Sequence, residues 1–453
     1  MKQLDYGNGK IFKAMLLAAG PMVAAQVLSL LYNIVDRMYI GRIANEGSLA
    51  LGGIGLCFPV LTLIMAFANL YGSGGAPLAA MACGRNDLKE AQTLQSASFL
   101  LIVITGIVLT GIGELFAKPI LVLFGAGEQS LAYGLPYLRI VLAGTVFSMI
   151  ATGMNPFLNA QGFPLAGMMT VAIGAILNII LDPILIFTAG WGIAGAAAAT
   201  VISQAVSALV ILYFLIRPRA VLRLSLRSLG CSLNFTRTRR IISLGFAGFV
   251  MQCTNSLVQS VSNNVLSRTG GDLYISIMTI VSSVRQILDT PIFGLTDGCG
   301  PILSFNYGAG KYGRIKEAIR LMTWMGLAYT GLIWLAILFW PELFIRIFTP
   351  DKQLDLACVP ALTTYFFAFI FQALQYAGQT VFKSLNKRGQ AIFFSLFRKV
   401  ILVVPLTFLL PIWFGPMGVF AAEPVSNVIG GSLCFVTMIF TVYRKLDQSS
   451  SHQ

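Results

Sequence analysis

The stretch Ile176-Leu177-Asn178-Ile179-Ile180-Leu181-Asp182-Pro183 decides the reading of this chain. It lies inside an apolar segment, roughly 165–187, long enough to cross a membrane as one helix, since a span needs about 20 apolar residues. Residues four apart on a helix share a face, so Asn178 and Asp182 stand on the same one. Pro183 has no backbone N–H, so the carbonyl of Ile179 loses its helical donor. A carboxylate, a carboxamide and a freed carbonyl then come together deep in an apolar helix. An ionisable group there costs about 2.5–3.5 kcal/mol on insertion scales and by default marks function. The competing reading is a packing pair satisfied by a neighbouring helix.

The rest of the composition agrees with a membrane setting. Of 453 residues, 57% are hydrophobic and only 11% charged, against about 25% charged in soluble domains. The first apolar helix is long and no small-residue cleavage pattern follows a short apolar core, so no cleavable signal is expected. The net charge of +14 would suggest nucleic acid in a soluble protein. Membrane proteins instead collect Lys and Arg on cytoplasmic loops, and no nucleic-acid partner is expected. Seven cysteines are scattered singly, so neither a disulfide nor a metal site is expected. The single histidine, His452, lies in a polar tail. Proton chemistry must therefore use carboxylates, and no enzyme activity is expected.

Twelve spans are read at roughly 12–36, 50–76, 93–115, 131–155, 165–187, 192–216, 241–267, 273–300, 318–340, 356–382, 391–411 and 417–442. An even number places both termini on one side. Most of the basic residues fall on that side: Lys2, Lys10 and Lys13, Arg85 and Lys89, the arginines between 217 and 240, Lys311 to Arg320, Lys383 to Lys399, and Arg444 with Lys445. Both termini are therefore expected in the cytoplasm of a cell that carries this protein in its cytoplasmic membrane.

The chain also repeats itself. Gly113-Glu114-Leu115-Phe116 returns as Pro341-Glu342-Leu343-Phe344, and Gly192-Ile193-Ala194-Gly195 as Gly415-Pro416-Met417-Gly418. Gly84 to Ala91 resembles Lys311 to Ala318, and Phe157 to Gly162 resembles Phe382 to Gly389. An offset of about half the chain with six spans in each half means parallel repeats, which commonly bind cargo between the halves. The expected organisation is a six-helix lobe over 1–216, a basic cytoplasmic linker over 217–240, a second six-helix lobe over 241–445 and a polar tail over 446–453. The linker arginines suit anionic lipid headgroups. The lobes differ where chemistry is concerned. Val404-Pro405 stands where the first lobe has Asp182-Pro183, and Asn33 with Asp36 has no acidic counterpart in 241–267. An acid dispensable to the repeat's fold points to coupling rather than packing.

Twelve spans in two parallel lobes, Pro21 with Asn33 and Asp36 in the first span, and Gly308-Ala309-Gly310-Lys311-Tyr312 after the eighth resemble the MATE family, multidrug and toxic compound extrusion. Asp36, Asn178, Asp182 and Thr200 look most like its DinF-like and MepA-like branch. The resemblance implies an all-α polytopic fold and a first-lobe cavity in which these four residues take up a coupling ion, H+ or Na+. It also implies bending of the first helix at Pro21, and cavity-lining roles for Tyr137 and Asn155. In another branch, acids of the seventh and tenth spans bind sodium. Here those spans offer Gln252, Asn255, Gln259, Gln372 and Gln375 and no acid.

Other polar positions carry open readings. Asp289 and Arg285, four apart, form either a neutralising pair or an anchor for a cationic substrate. Asp297 reads as a helix-end group, and Glu423 beside Pro424 as a second relay. The expected function is a secondary multidrug antiporter, acting as a monomer among membrane lipids. It exports amphipathic, often cationic compounds in exchange for H+ or Na+, without a cofactor. A lipid-linked-sugar flippase is the alternative, weakened by the few cationic residues in 12–36 and 241–267. A passive channel fits less well, since nothing resembles a filter or charged ring.

Overall fold

The computed structural model describes residues 3–43, 47–124, 127–217, 220–224, 230, 232–346 and 352–446. Arg219, Arg227, Cys231 and the tail with His452 lie outside them. The described residues form helices and connecting turns without a strand. The helices are α1 (Ile11–Gly41), α2 (Gly47–Gly84), α3 (Leu88–Leu123), α4 (Glu128–Ala143), α5 (Thr145–Ala160), α6 (Pro164–Pro183) and α7 (Gly192–Ile216). There follow α8 (Phe235–Thr269), α9 (Gly271–Gly308), α10 (Tyr312–Phe339), α11 (Lys352–Phe366), α12 (Phe369–Ser384), α13 (Arg388–Phe414) and α14 (Met417–Leu446). Helices dominate for a physical reason: in hydrocarbon every backbone polar group must be satisfied within its own segment.

Each expected span falls on a helix. Among the described residues, nine helices are long and apolar enough to cross a membrane, and up to eleven if each bent pair counts as one span. The expected span 131–155 is not straight: α4 and α5 meet at 57° across Gly144, a poor helix former. The span 356–382 likewise breaks, with a bend of 41° before Phe369. The span 273–300 lies in α9, 38 residues long, whose apolar run is interrupted by Arg285, Asp289 and Asp297.

Two compact units emerge. One holds residues 1–5 and 24–249, the other 6–23 and 250–453. Two helices are therefore shared by sequence: α1 gives its first part, with Pro21, to the second unit and its remainder, with Asp36, to the first. α8 does the reverse. α1 is one helix through Pro21.

In the first unit, α2 packs on α3, α4 and α5, α6 lies against α7, and α5 contacts both. The opening of α8 is held by ions: Arg237 and Arg240 pair with Glu90 at 3.3 and 3.1 Å. These two arginines, expected to face headgroups, are instead engaged by α3. Farther along α8, Gly245 permits a close approach, for a Cβ there would stand 1.7 Å from the carbonyl oxygen of Leu70 on α2. Overpacking of that kind costs about 1–3 kcal/mol. Gly245→Ala should therefore lower the melting midpoint of the purified protein, while Gly111→Ala, with open space around its Cβ, should leave it unchanged. Equal midpoints for both variants would refute the packing argument.

In the second unit, α9, α11, α12 and α14 build the core around Phe366, Phe369 and Phe420. The Lys311 to Arg314 turn grips the segment before α1. Arg314 donates to the carbonyls of Gly9, Asn8 and Tyr6 at 2.7, 3.2 and 3.3 Å. Lys311 donates to Gly7 O at 2.7 Å, and Asn306 to Tyr6 O at 2.9 Å. The repeated motif after α9 thus supplies donors to backbone acceptors that precede the first turn of α1.

One expectation on charge is corrected here. Arg398 and Lys399 were assigned to the connection before the eleventh span, among the residues that set orientation. They sit inside α13, 5% and 3% exposed, in a π-helical stretch over Phe397–Val403. They are intramembrane charges, tolerated because they are paired.

Candidate functional site

α6 carries the first polar centre on its last turn. Beyond Pro183 the chain continues as a π turn over Ile184–Thr188, the wide form a helix takes where a donor is missing. α7 runs close alongside: a Cβ on Gly195 would stand 2.6 Å from the carbonyl of Leu185. That approach sets Thr200, a little over one turn further on α7, opposite Asn178.

Asn178 and Asp182 are 2% and 0% exposed. The amide of Asn178 donates to Asp182 Oδ1 at 3.3 Å and to Thr200 Oγ1 at 3.5 Å. The carboxyl groups of Asp182 and Asp36 are neighbours in one site and act on each other electrostatically. Asp36 arrives from α1, whose second part belongs to this unit. Tyr137, on α4 and 4% exposed, interacts electrostatically with both acids. Arg37 acts on Asp36 as a charge of opposite sign and lies over the ring of Phe58 at 5.7 Å.

The chemistry follows from the donor count. A carboxylate offers acceptors only, so two carboxyls share a hydrogen bond only when one of them holds a proton. Asp36 Oδ1, Asp182 Oδ2 and Asn178 Oδ1 are each buried without a hydrogen-bond partner among the described residues. Buried acceptors with no donor are costly. Such a group of oxygens can accept a proton or coordinate a small cation.

The sequence-expected residues divide into those brought together and those not. Asp36, Asn178, Asp182, Thr200 and Tyr137 meet. Asn33 is exposed and donates to Ser29 O, on its own helix, at 2.6 Å. Asn155 donates to Gly167 O and Thr170 Oγ1, both at 2.9 Å. Thr170 is two turns before Asn178, about 12 Å along α6 at 1.5 Å per residue. Pro21, Gln252, Asn255 and Asp289 belong to the second unit, with Gln252 half-buried and Asn255 exposed on α8.

The second unit has a polar centre of its own. Arg285 binds Asp289 at 3.1 Å and Glu423 at 2.8 Å. Glu423 also takes Arg398 at 2.9 Å and Lys399 at 3.1 Å. Gln372 donates to the other oxygen of Asp289 at 2.8 Å, and Arg398 to Asn427 at 2.7 Å. Arg285 also donates to the hydroxyl of Tyr365. Both oxygens of Asp289 are thus occupied. Sequence reasoning found Arg285, Asp289 and Glu423 but not that they form one network, and it missed Arg398 and Lys399. The signal was present: an Arg-Lys pair interrupts the apolar run 391–411.

With this geometry in hand, likeness to known proteins can be weighed. The MatE family matches residues 21–184 and 248–409. The chain is similar to the multidrug export protein MepA of Staphylococcus haemolyticus (strain JCSC1435), 25% identical over 443 residues, which cover 98% of this chain and 96% of that protein. It is also 25% identical over 449 residues to MepA of Staphylococcus aureus (strain NCTC 8325 / PS 47), covering 99% and 97%. A solved structure of MATE in complex with MaL6 shares the fold, with a TM-score of 0.92 over 100% of each chain at 21% identity. The family match takes in most of each repeat, and its first segment holds Asp36, Tyr137, Asn178 and Asp182; the chain belongs to the MatE family and is a multi-pass membrane protein.

Proposed function

We propose that this protein is a secondary multidrug antiporter. It exports amphipathic, often cationic small molecules across the cytoplasmic membrane in exchange for H+ or Na+. The observation that carries the reading is buried Asp182 with half-buried Asp36, Asn178 and Thr200 around it. Two acids in one apolar site cannot both be charged cheaply, so the site takes up a cation. Entry of that cation from outside changes the charge on α1, α6 and α7, and an ion that binds one state better than the other shifts their populations. The names of the MepA relatives support drugs as cargo. Both termini face the cytoplasm: with Arg398 and Lys399 set aside, the arginines of 217–240 and the basic residues of 311–320 still carry the bias. A monomer surrounded by lipid meets these requirements. The flippase alternative would need cations for a bulky pyrophosphate, and the segments 12–36 and 241–267 offer few.

The test is drug efflux from liposomes holding purified protein, with proton and sodium gradients imposed separately. Transport that responds to neither gradient sinks the antiporter. The pairing of two carboxyls supports a proton, and the unpartnered oxygen of Asn178 supports sodium. Asn178→Ala and Thr200→Ala tell these apart. A sodium ion needs their neutral oxygens and a proton does not. If sodium is the ion, each variant should raise the half-saturating ion concentration about tenfold or more. If the proton is the ion, each should leave it within about twofold, the scale of lesser contacts.

A further inference from the structure

By formal charge the second unit's buried network does not balance. Its basic members are Arg285, Arg398 and Lys399, its acidic members Asp289 and Glu423, and the five interact with one another. The neutral members are Tyr365, Tyr376, Gln372 and Asn427. Asp297, on the same helix as Asp289, has Lys383 as its electrostatic partner. With every member ionised, the network keeps one positive charge inside membrane-spanning helices, where an unmatched charge is strongly disfavoured. The side chain of Arg285 is 16% exposed, and the other four are 7% or less. A ligand reaching the network would meet Arg285 first. Beside it, Gln259 and Ser282 present an amide and a hydroxyl on α8 and α9, hydrogen-bonded at 3.3 Å.

We propose that this network is an anion site: Arg285, with Arg398 and Lys399 behind it, holds one monovalent anion, either a halide from solution or the carboxylate of an amphipathic cargo molecule. The anion completes the charge balance, and guanidinium groups suit both chemistries. The proposal stands apart from the coupling site of the first unit and does not depend on the antiporter reading.

The experiment follows the melting midpoint of the full-length protein purified in detergent, at fixed pH and sodium concentration. Sodium gluconate is replaced stepwise by sodium chloride or by sodium benzoate. Chloride should raise the midpoint by about 2–4 °C along a saturating curve, as expected for a ligand that binds only the folded state. A response to benzoate alone assigns the site to a cargo carboxylate. In Lys399→Met the network is neutral, and the response should vanish. Arg398→Met removes the same unit of charge and serves where the first variant does not fold. The proposal is overturned if neither anion moves the wild-type midpoint, if the shift grows linearly without saturating, or if both neutralised variants keep the wild-type response. A midpoint that follows pH but not the anion overturns it equally, because Lys399 would then balance the network by giving up its proton.

Discussion

Asp182→Asn is expected to lower gradient-driven efflux by about 100-fold or more, and Asp36→Asn to do the same. The carboxamide keeps the shape of the side chain and its hydrogen bond to Asn178, but it can neither take up a proton nor neutralise a cation. Without an ion that distinguishes the two states, nothing moves their equilibrium, however well drug binds. Stability should respond in the opposite sense. Asp182 is buried and half-buried Asp36 stands beside it, so removing one acid relieves repulsion when both are charged. Membrane levels and melting midpoint should hold or rise while efflux falls. The check is transport in liposomes under an imposed gradient, with drug binding and midpoint measured on the same preparations. An Asp182→Asn protein that pumps at the wild-type rate would make this pair structural and move coupling to Glu423 or Asp289.

Glu423→Gln has its large effect on folding rather than on transport. Glu423 is the hub of the second unit's network, with Arg285, Arg398 and Lys399 all on it. Removing its charge leaves three buried cations facing Asp289 alone. Breaking a buried pair by deleting one partner costs about 3–5 kcal/mol, chiefly because the remaining charges stay desolvated and unmatched. The melting midpoint should fall by about 5 °C or more. A second change, Lys399→Met, restores the charge difference to that of the wild type and should recover most of the loss. Additive effects of the two substitutions would show that the charges do not act as a network.

What the sequence determined by itself was the fold and the first-lobe pair. Long apolar runs leave a chain few ways to satisfy its backbone, so the helices around Asn178, Asp182 and Thr200 were legible from composition and spacing. The four-residue interval between Asn178 and Asp182 is a property of one helix and needs no tertiary information. The half-chain repeat and the loss of the acid at Val404 were equally plain.

Only the tertiary structure decided which distant groups meet. Asp36 is separated from Asp182 by most of a lobe, and its place beside it depends on how α1 packs. Asn33 and Asn155 looked equivalent to it as polar residues in apolar helices, yet one bonds its own turn and the other α6 two turns away. Arg398 and Lys399 carry the same lesson. As letters they resemble the basic residues that flank spans. In space they face Glu423, 24 residues beyond Lys399. Charge in a membrane is assigned by its partner, and the partner of a side chain is set by packing between helices rather than by position along one.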